Sequence, residues 1–274
     1  MQSSKLLIKY GGNAMVNQEL KQQIAQALFR LKQAGHQIVL VHGGGPFINR
    51  ALERSQIVSE FIEGQRQTSP EALEEIQKTL IGEVNADLVH LFSQNQLSAV
   101  GISGLDSQMV QVEKKLLSKI DANGILDEID LGRVGQVKSI NTSLIDTLLE
   151  KNFTPIIACI GGDENGLAYN INADDFAGEI AAALQVDYYI SLTDVDGLYG
   201  NYPDPASLIT SLSVADLPKY YGSIIQGGMI PKIQSCESAL KKGVKNVLII
   251  NGTKPKELLG FFEKGLKSGT TISK

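Results

Sequence analysis

The chain is poor in several residue types, and each shortage removes a class of explanation. It has no tryptophan, three histidines and two cysteines in 274 residues. Cys159 and Cys236 lie far apart with no CxxC spacing, so neither a disulfide framework nor a structural zinc site is suggested, and no residue is assigned as a metal ligand. A reducing, cytoplasmic setting fits such cysteine usage. No apolar run reaches the roughly 18 residues that a membrane span requires, and the apolar stretch after Met1 is too short for a secretory signal. Positive charge is also in the minority. Lys and Arg number 25 against 30 Asp and Glu, a formal charge of −5. That balance argues against nucleic acid or an anionic membrane as partner, and leaves any anionic ligand to a local cluster of cations.

Two familiar phosphate-binding patterns are missing as well. There is no GxxxxGK[ST] loop and no GxGxxG, and the protein-kinase signatures are absent. A nucleotide would have to be held by another device, and a dehydrogenase on a doubly wound sheet is disfavoured.

What is present is an alternation of short, β-branched apolar runs with amphipathic stretches. The runs at Lys5–Lys9, Gln37–Val41, Ser98–Ile102, Pro155–Ile160, Tyr188–Thr193 and Asn246–Asn251 read as strands covered on both faces. Helical periodicity falls at Asn17–Gln33, Ser69–Phe92, Ser143–Leu149, Ala173–Leu184, Lys232–Lys241 and Pro255–Phe262. The pattern predicts an α/β fold with an open, mainly parallel sheet. Residues 103–138 break the rhythm and read as an inserted hairpin, with short exposed strands at Val110–Val112 and Val134–Val137 around a mobile polar segment that is a candidate lid over the site. The helices beyond about residue 227 are candidates for a second lobe on the same sheet.

Ligands of open parallel sheets bind beyond the carboxyl ends of the strands. The first strand ends in Lys9, followed by Gly11 and Gly12, which let backbone N–H groups approach an anion beside a mobile charge. The second ends in His42-Gly43-Gly44-Gly45-Pro46, a glycine loop entering a helix with Pro46 at its first position, where exposed N–H groups and the helix dipole favour a carboxylate or phosphate. His42 is given no catalytic role. After the fourth strand, Asn172 is placed to cap a helix, Asn170 is free to reach into the crevice, and Asp174 occupies the first turn. The fifth strand runs into Thr193-Asp194-Val195-Asp196-Gly197-Leu198. Lys232 follows a second glycine pair, Gly227-Gly228. Two lysines, two anion loops and one acid able to hold the lysines in place are what phosphoryl transfer asks of a protein, because its transition state spreads negative charge over oxygens.

These segments together resemble the amino-acid-kinase family, and within it the branch acting on N-acetyl-L-glutamate. The resemblance rests on IKYGGNAM at Ile8–Met15, VHGGGP at Val41–Pro46, GQRQT at Gly64–Thr68, NINAD at Asn170–Asp174, TDVDGLY at Thr193–Tyr199 and GGMIPK at Gly227–Lys232, in order along nearly the whole chain. It implies a three-layer αβα sandwich with two lobes, about 1–185 for the acyl amino acid and about 186–274 for ATP. It implies that Lys9 and Lys232 stabilise the transferring phosphoryl group and that Asp174 orients both. Gly44, Gly45, Arg66 and Asn170 would contact substrate; Gly11, Gly12, Thr193–Leu198 and Ile224, Ile225 and Gln226 would line the nucleotide. The cofactor implied is ATP with Mg²⁺ carried mainly on its phosphates. The chain departs from the family pattern at Phe47, at Gln67 and at Gly104–Ser107, all near the expected substrate side. Relatives inhibited by arginine carry an extra N-terminal helix, so a homodimer is expected here. Competing readings are a sister kinase of an aminoadipate derivative, carbamate or aspartate, and a catalytically silent nucleotide or amino-acid sensor.

Overall fold

The computed structural model describes residues 3–120 and 126–274. Its centre is an eight-stranded sheet. In spatial order the strands are Ser211–Ser213, Thr270–Ser273, Asn246–Asn251, Tyr188–Thr193, Lys5–Tyr10, Gln37–His42, Thr154–Ala158 and Ala99–Ser103. Six of the seven pairings are parallel. Asn246–Asn251 and Thr270–Ser273 alone run antiparallel. The six strands read from sequence are all in this sheet, with ends shifted by one or two residues and with Ile160–Gly162 separated as a strand of its own.

Side chains alternate faces along a strand, and here both faces are apolar. Leu7, Val39, Val41, Ile157, Tyr189, Val247 and Ile249 belong to one core. Leu6, Ile8, Ile38, Leu40, Ile156, Ile190, Leu248 and Ile250 belong to the other. The first core is covered by the helices Ala173–Ala183 and Met229–Lys241, through Phe176, Ala177, Ile180, Ile233, Cys236 and Leu240. Ile24, Leu28 and Leu31 of the helix Gln18–Gln33, with Leu258 and Phe262 of Pro255–Lys264, cover the second. The result is the three-layer αβα sandwich, with Lys5–Tyr10 near its middle.

Helix ends follow their sequence signals. Asn17 caps Gln18–Gln33 by accepting from the N–H of Leu20 at 3.0 Å. Ser69 does the same for Pro70–Gln77 through Ala72. The long periodic stretch from Ser69 to Phe92 is continuous but not uniform. It widens into a π-helix over Lys78–Asn85 before resuming as an α-helix over Ala86–Gln94. Pro46 is the second residue of its helix, Gly45–Arg54, not the first.

The inserted segment differs from expectation. Its strands run over Val110–Ile120 and Leu126–Ile140, far longer than the two short pieces read from sequence. Val110, Val112 and Val134 are buried, not exposed. The hairpin closes with Ile160–Gly162 and Ala168–Asn170 into a small four-stranded barrel, which gives those apolar residues something to pack against. Residues 121–125 of the polar segment expected to be mobile lie outside the described residues.

Candidate active site

Lys9 alternates with Leu7 on the first strand, so its side chain emerges on the face covered by Ala173–Ala183. Asp174 stands in the first turn of that helix, whose N-terminus is capped by Asn172 accepting from the N–H groups of Asp174 and Asp175 at 2.9 and 3.2 Å. The two meet: Lys9 Nζ is 3.0 Å from Asp174 Oδ1. Lys232 arrives from the neighbouring helix Met229–Lys241 and donates to both Asp174 oxygens at 3.2 Å. The helices approach closely because Gly178 has no side chain. A Cβ there would lie 2.5 Å from Ser235 Oγ. Ser235 and Tyr189 also donate to the backbone carbonyl of Asp174, fixing the turn that carries the acid.

Burial alone would push the Asp174 carboxyl up, but the Lys9 and Lys232 ammoniums outweigh it and hold the carboxyl below its ordinary range. Lys232 is pushed down by its own burial and by Lys9, against the pull of Asp174. Two ammoniums around one carboxylate leave a net positive charge at the carboxyl end of the central strand. That charge suits a polyanion.

The glycine loops frame this cluster. Gly11 runs so close to Lys9 that a Cβ would lie 3.3 Å from Nζ. Gly12 adopts φ +71°, where glycine is favoured, and a Cβ would stand 2.9 Å from Asp194 Oδ1. The first and fifth strand loops therefore meet here. Gly43 packs against the start of the Asp174 helix, its missing Cβ 3.4 Å from that of Ala173. The N–H of Gly43 donates to Tyr10 O at 3.0 Å. Those of Gly44 and Gly45 donate to no protein group among the described residues.

The loop after the fifth strand is built from its own polar groups. Thr193 Oγ1 bonds within it to Val195. Asp196 accepts from Asn251, Tyr199 and Lys254 at 2.7, 2.9 and 2.7 Å. Gly197 and Leu198 are buried against Thr270, whose hydroxyl accepts from the N–H of Leu198 at 2.8 Å. Asp194 is exposed at the surface of the loop. Ile225 is wholly buried in the first core with Ile224 packed beside it, while Gln226 is exposed and donates to the carbonyls of Gly222 and Ser223.

Arg66 is buried to 8% exposure. Its guanidinium donates to Asn49 and Ser59 and lies over the Phe61 ring, 4.5 Å from the centroid. It forms no ion pair with a carboxylate among the described residues. Thr68, two residues on, bridges Gly132 of the hairpin, and Asn170 pairs with Val134 of the same strand. Arg66 and Asn170 thus depend on one strand for their placement. The departures from the family pattern have structural employment. Phe47 packs on the second core beneath Arg50, and Asp106 accepts from the backbone and hydroxyl of Ser103 at 2.6 and 2.8 Å. Leu105 packs against the first core.

Sequence reasoning missed Asn85, which is buried on the π-helix and bonded to His42, and the ion pair of Lys115 with Asp175 that ties the hairpin to the Asp174 helix at 3.2 Å. A polar residue inside an apolar helical stripe, between Val84 and Leu88, was the available signal for Asn85.

Comparison with known proteins gives the family. The sequence model of the amino acid kinase family matches residues 4–251. An acetylglutamate kinase of Methanococcus vannielii is 44% identical over 273 residues, covering 98% of this chain and 92% of its own. One from Moorella thermoacetica is 42% identical, covering 93% and 86%. Among solved structures, a Streptococcus mutans protein is 28% identical with a TM-score of 0.77, covering 98% of both chains. A Giardia carbamate kinase superposes with a TM-score of 0.69 at 18% identity, covering all of both, which speaks to fold alone. The chain belongs to the amino acid kinase family.

Proposed function

We propose that the protein transfers the γ-phosphoryl group of ATP to the γ-carboxylate of N-acetyl-L-glutamate, giving N-acetyl-glutamyl 5-phosphate in arginine biosynthesis. The observation that carries the reading is the pair of lysines sharing Asp174, 3.0 and 3.2 Å away, beside the N–H groups of Gly44 and Gly45, which have no protein acceptor among the described residues. A carboxylate oxygen attacks the γ-phosphorus, the bond to the bridging oxygen breaks, and ADP leaves. The acceptor is already ionised near neutral pH, so no protein base is needed. Lys9 and Lys232 act as catalytic residues by neutralising charge on the transferring oxygens, and Asp174 keeps the two ammoniums together in the absence of that charge.

The acceptor lies on the side of Gly44, Gly45, Arg66 and Asn170. A buried guanidinium whose partners among the described residues are all neutral supports this, because such a fork suits a substrate carboxylate. The nucleotide lies on the side of Gly11, Gly12, Thr193–Leu198 and Ile224–Gln226. The fold is consistent with that division: the strands of residues 188–273 occupy one end of the sheet, and those of residues 5–158 the other. The bonds that build the 193–198 loop from within support backbone contacts to ATP more than side-chain ones. Mg²⁺ would be carried mainly by the nucleotide phosphates and would neutralise part of their charge. The partners are these small molecules, the setting is the cytoplasm, and the assembly is a homodimer. The edge strand Ala99–Ser103, paired on one side only among the described residues, supports a self-association.

ADP release from MgATP across N-acetyl-glutamate, glutamate, aspartate, carbamate and N-acetyl-α-aminoadipate tests the assignment. Turnover confined to N-acetyl-glutamate is expected. Preference for another carboxylate would keep the chemistry and move the specificity; binding of ATP without turnover on any would make the protein a sensor. Sedimentation at twice the chain mass is expected for the dimer.

A further inference from the structure

His42 is wholly buried at the end of the second strand, directly before the glycine loop. Its Nδ1 lies 2.9 Å from the carbonyl oxygen of Gly43. Its Nε2 lies 3.0 Å from Asn85 Nδ2, which also donates to Ile156 O at 2.9 Å. A carbonyl only accepts, so Ile156 fixes the orientation of the Asn85 amide. The amide nitrogen only donates, so Nε2 of His42 is bare. The remaining proton must sit on Nδ1, where it is given to Gly43 O. Burial opposes a second proton and lowers the ring to a pKa of about 4, so it stays neutral at physiological pH.

This chain of bonds ends on the peptide that links Gly43 to Gly44. In a trans peptide the C=O and the following N–H point in opposite directions. Holding Gly43 O toward the buried ring therefore turns the Gly44 N–H to the side opposite that ring. The N–H of Gly43 is anchored too, on Tyr10 O. The loop glycines have no side chains to restrain this peptide. Asn85 reaches its position through the π-helical stretch and lies so close to the edge strand that a Cβ on Gly101 would fall 2.0 Å from Asn85 Oδ1.

We propose that His42 and Asn85 are positioning residues, which lock the Gly43–Gly44 peptide so that the Gly44 N–H is aimed at the anion held by the glycine loop. The proposal rests on the phosphoryl-transfer reading. Preorganised donors act because they need not turn at the moment of reaction. An unlocked peptide would present its N–H only part of the time.

The chain has three histidines, so ¹⁵N-histidine NMR of the intact protein can assign His42 through the signal lost in His42→Leu. The expected spectrum has Nδ1 protonated and Nε2 bare. An Nε2-protonated ring would overturn the proposal without any variant needing to fold. In kinetics, His42→Leu should lower kcat by about tenfold to a hundredfold, less than outright removal of a donor, with KM values changed by no more than about twofold. His42→Asn, whose amide nitrogen can stand near the place of Nδ1, should recover most of the loss. Gly101→Ala, which displaces Asn85, should repeat the kcat defect. A folded His42→Leu as fast as wild type, or a defect that His42→Asn does not relieve, would overturn the positioning role. If wild type phosphorylates no carboxylate, the functional reading falls as well, and that result is distinct from a fast His42→Leu.

Discussion

Lys9 Nζ and Asp174 Oδ1 are 3.0 Å apart although 165 positions separate them in the chain, and Lys232 shares the same carboxylate. Asp174 is thus the hinge of the cluster. Asp174→Asn removes the only carboxylate that, among the described residues, pairs with these two buried ammoniums. Breaking such a buried pair typically costs about 3 kcal/mol or more. Denaturant titration should show a drop of that order, and activity should fall with it. A variant of unchanged stability and rate would remove Asp174 from the account.

Lys232→Ala should act on the reaction more than on binding. Loss of one transition-state donor lowers kcat by roughly 10²–10³, with a smaller change in KM. Steady-state kinetics on both substrates reads this directly. A change confined to KM would make Lys232 a binding residue only.

Burial and the neighbouring Lys9 lower the Lys232 ammonium below its ordinary 10.5. A base with a lowered pKa loses its proton earlier as pH rises, so kcat/KM, which reports the unliganded enzyme, should decline along an alkaline limb whose midpoint lies below 10.5. In Lys232→Arg any residual activity should lack that limb, because a guanidinium stays charged. A wild-type profile flat to that pH would contradict the assignment.

His42 gives a stability test with its own sign. Its folded pKa of about 4 lies below the ordinary 6.5. The unfolded chain therefore binds the extra proton first. The stabilisation is complete above 6.5 and is lost as pH falls toward 4, by about 3 kcal/mol in all. Unfolding free energies of wild type should slope across that window more steeply than those of His42→Asn. Parallel slopes would show that His42 is not the group responsible.

Arg66→Ala should chiefly raise KM for the acceptor if, as proposed, this buried guanidinium without a carboxylate partner among the described residues grips the acyl substrate. A defect limited to ATP would reverse the two ends of the sheet.

Much of this was legible because strands and helices carry their own periods. Lys9 could be placed on the strand end, and Asp174 in a capped first turn, from neighbouring residues alone. Their meeting follows from the period of two that puts Lys9 on the face of Leu7. Long-range pairing was not legible. Nothing local reports that Val110 and Val134 would be buried by a barrel closed through Ile160–Gly162 and Ala168–Asn170. Nor does local pattern tell that Asp196 would be consumed by Asn251 and Lys254, 55 or more positions away, or that Asn85 would turn inward on a π-helix to reach His42. These contacts depend on which strands become neighbours, and that is decided by the whole core.

Trapping the acyl phosphate shows whether the cluster transfers phosphoryl to a carboxylate. Purified protein with MgATP, N-acetyl-L-glutamate and hydroxylamine should yield N-acetyl-glutamyl hydroxamate in step with ADP, and Lys232→Ala should lose both together. ADP formed without hydroxamate, or hydroxamate formed equally well by the variant, would contradict the account.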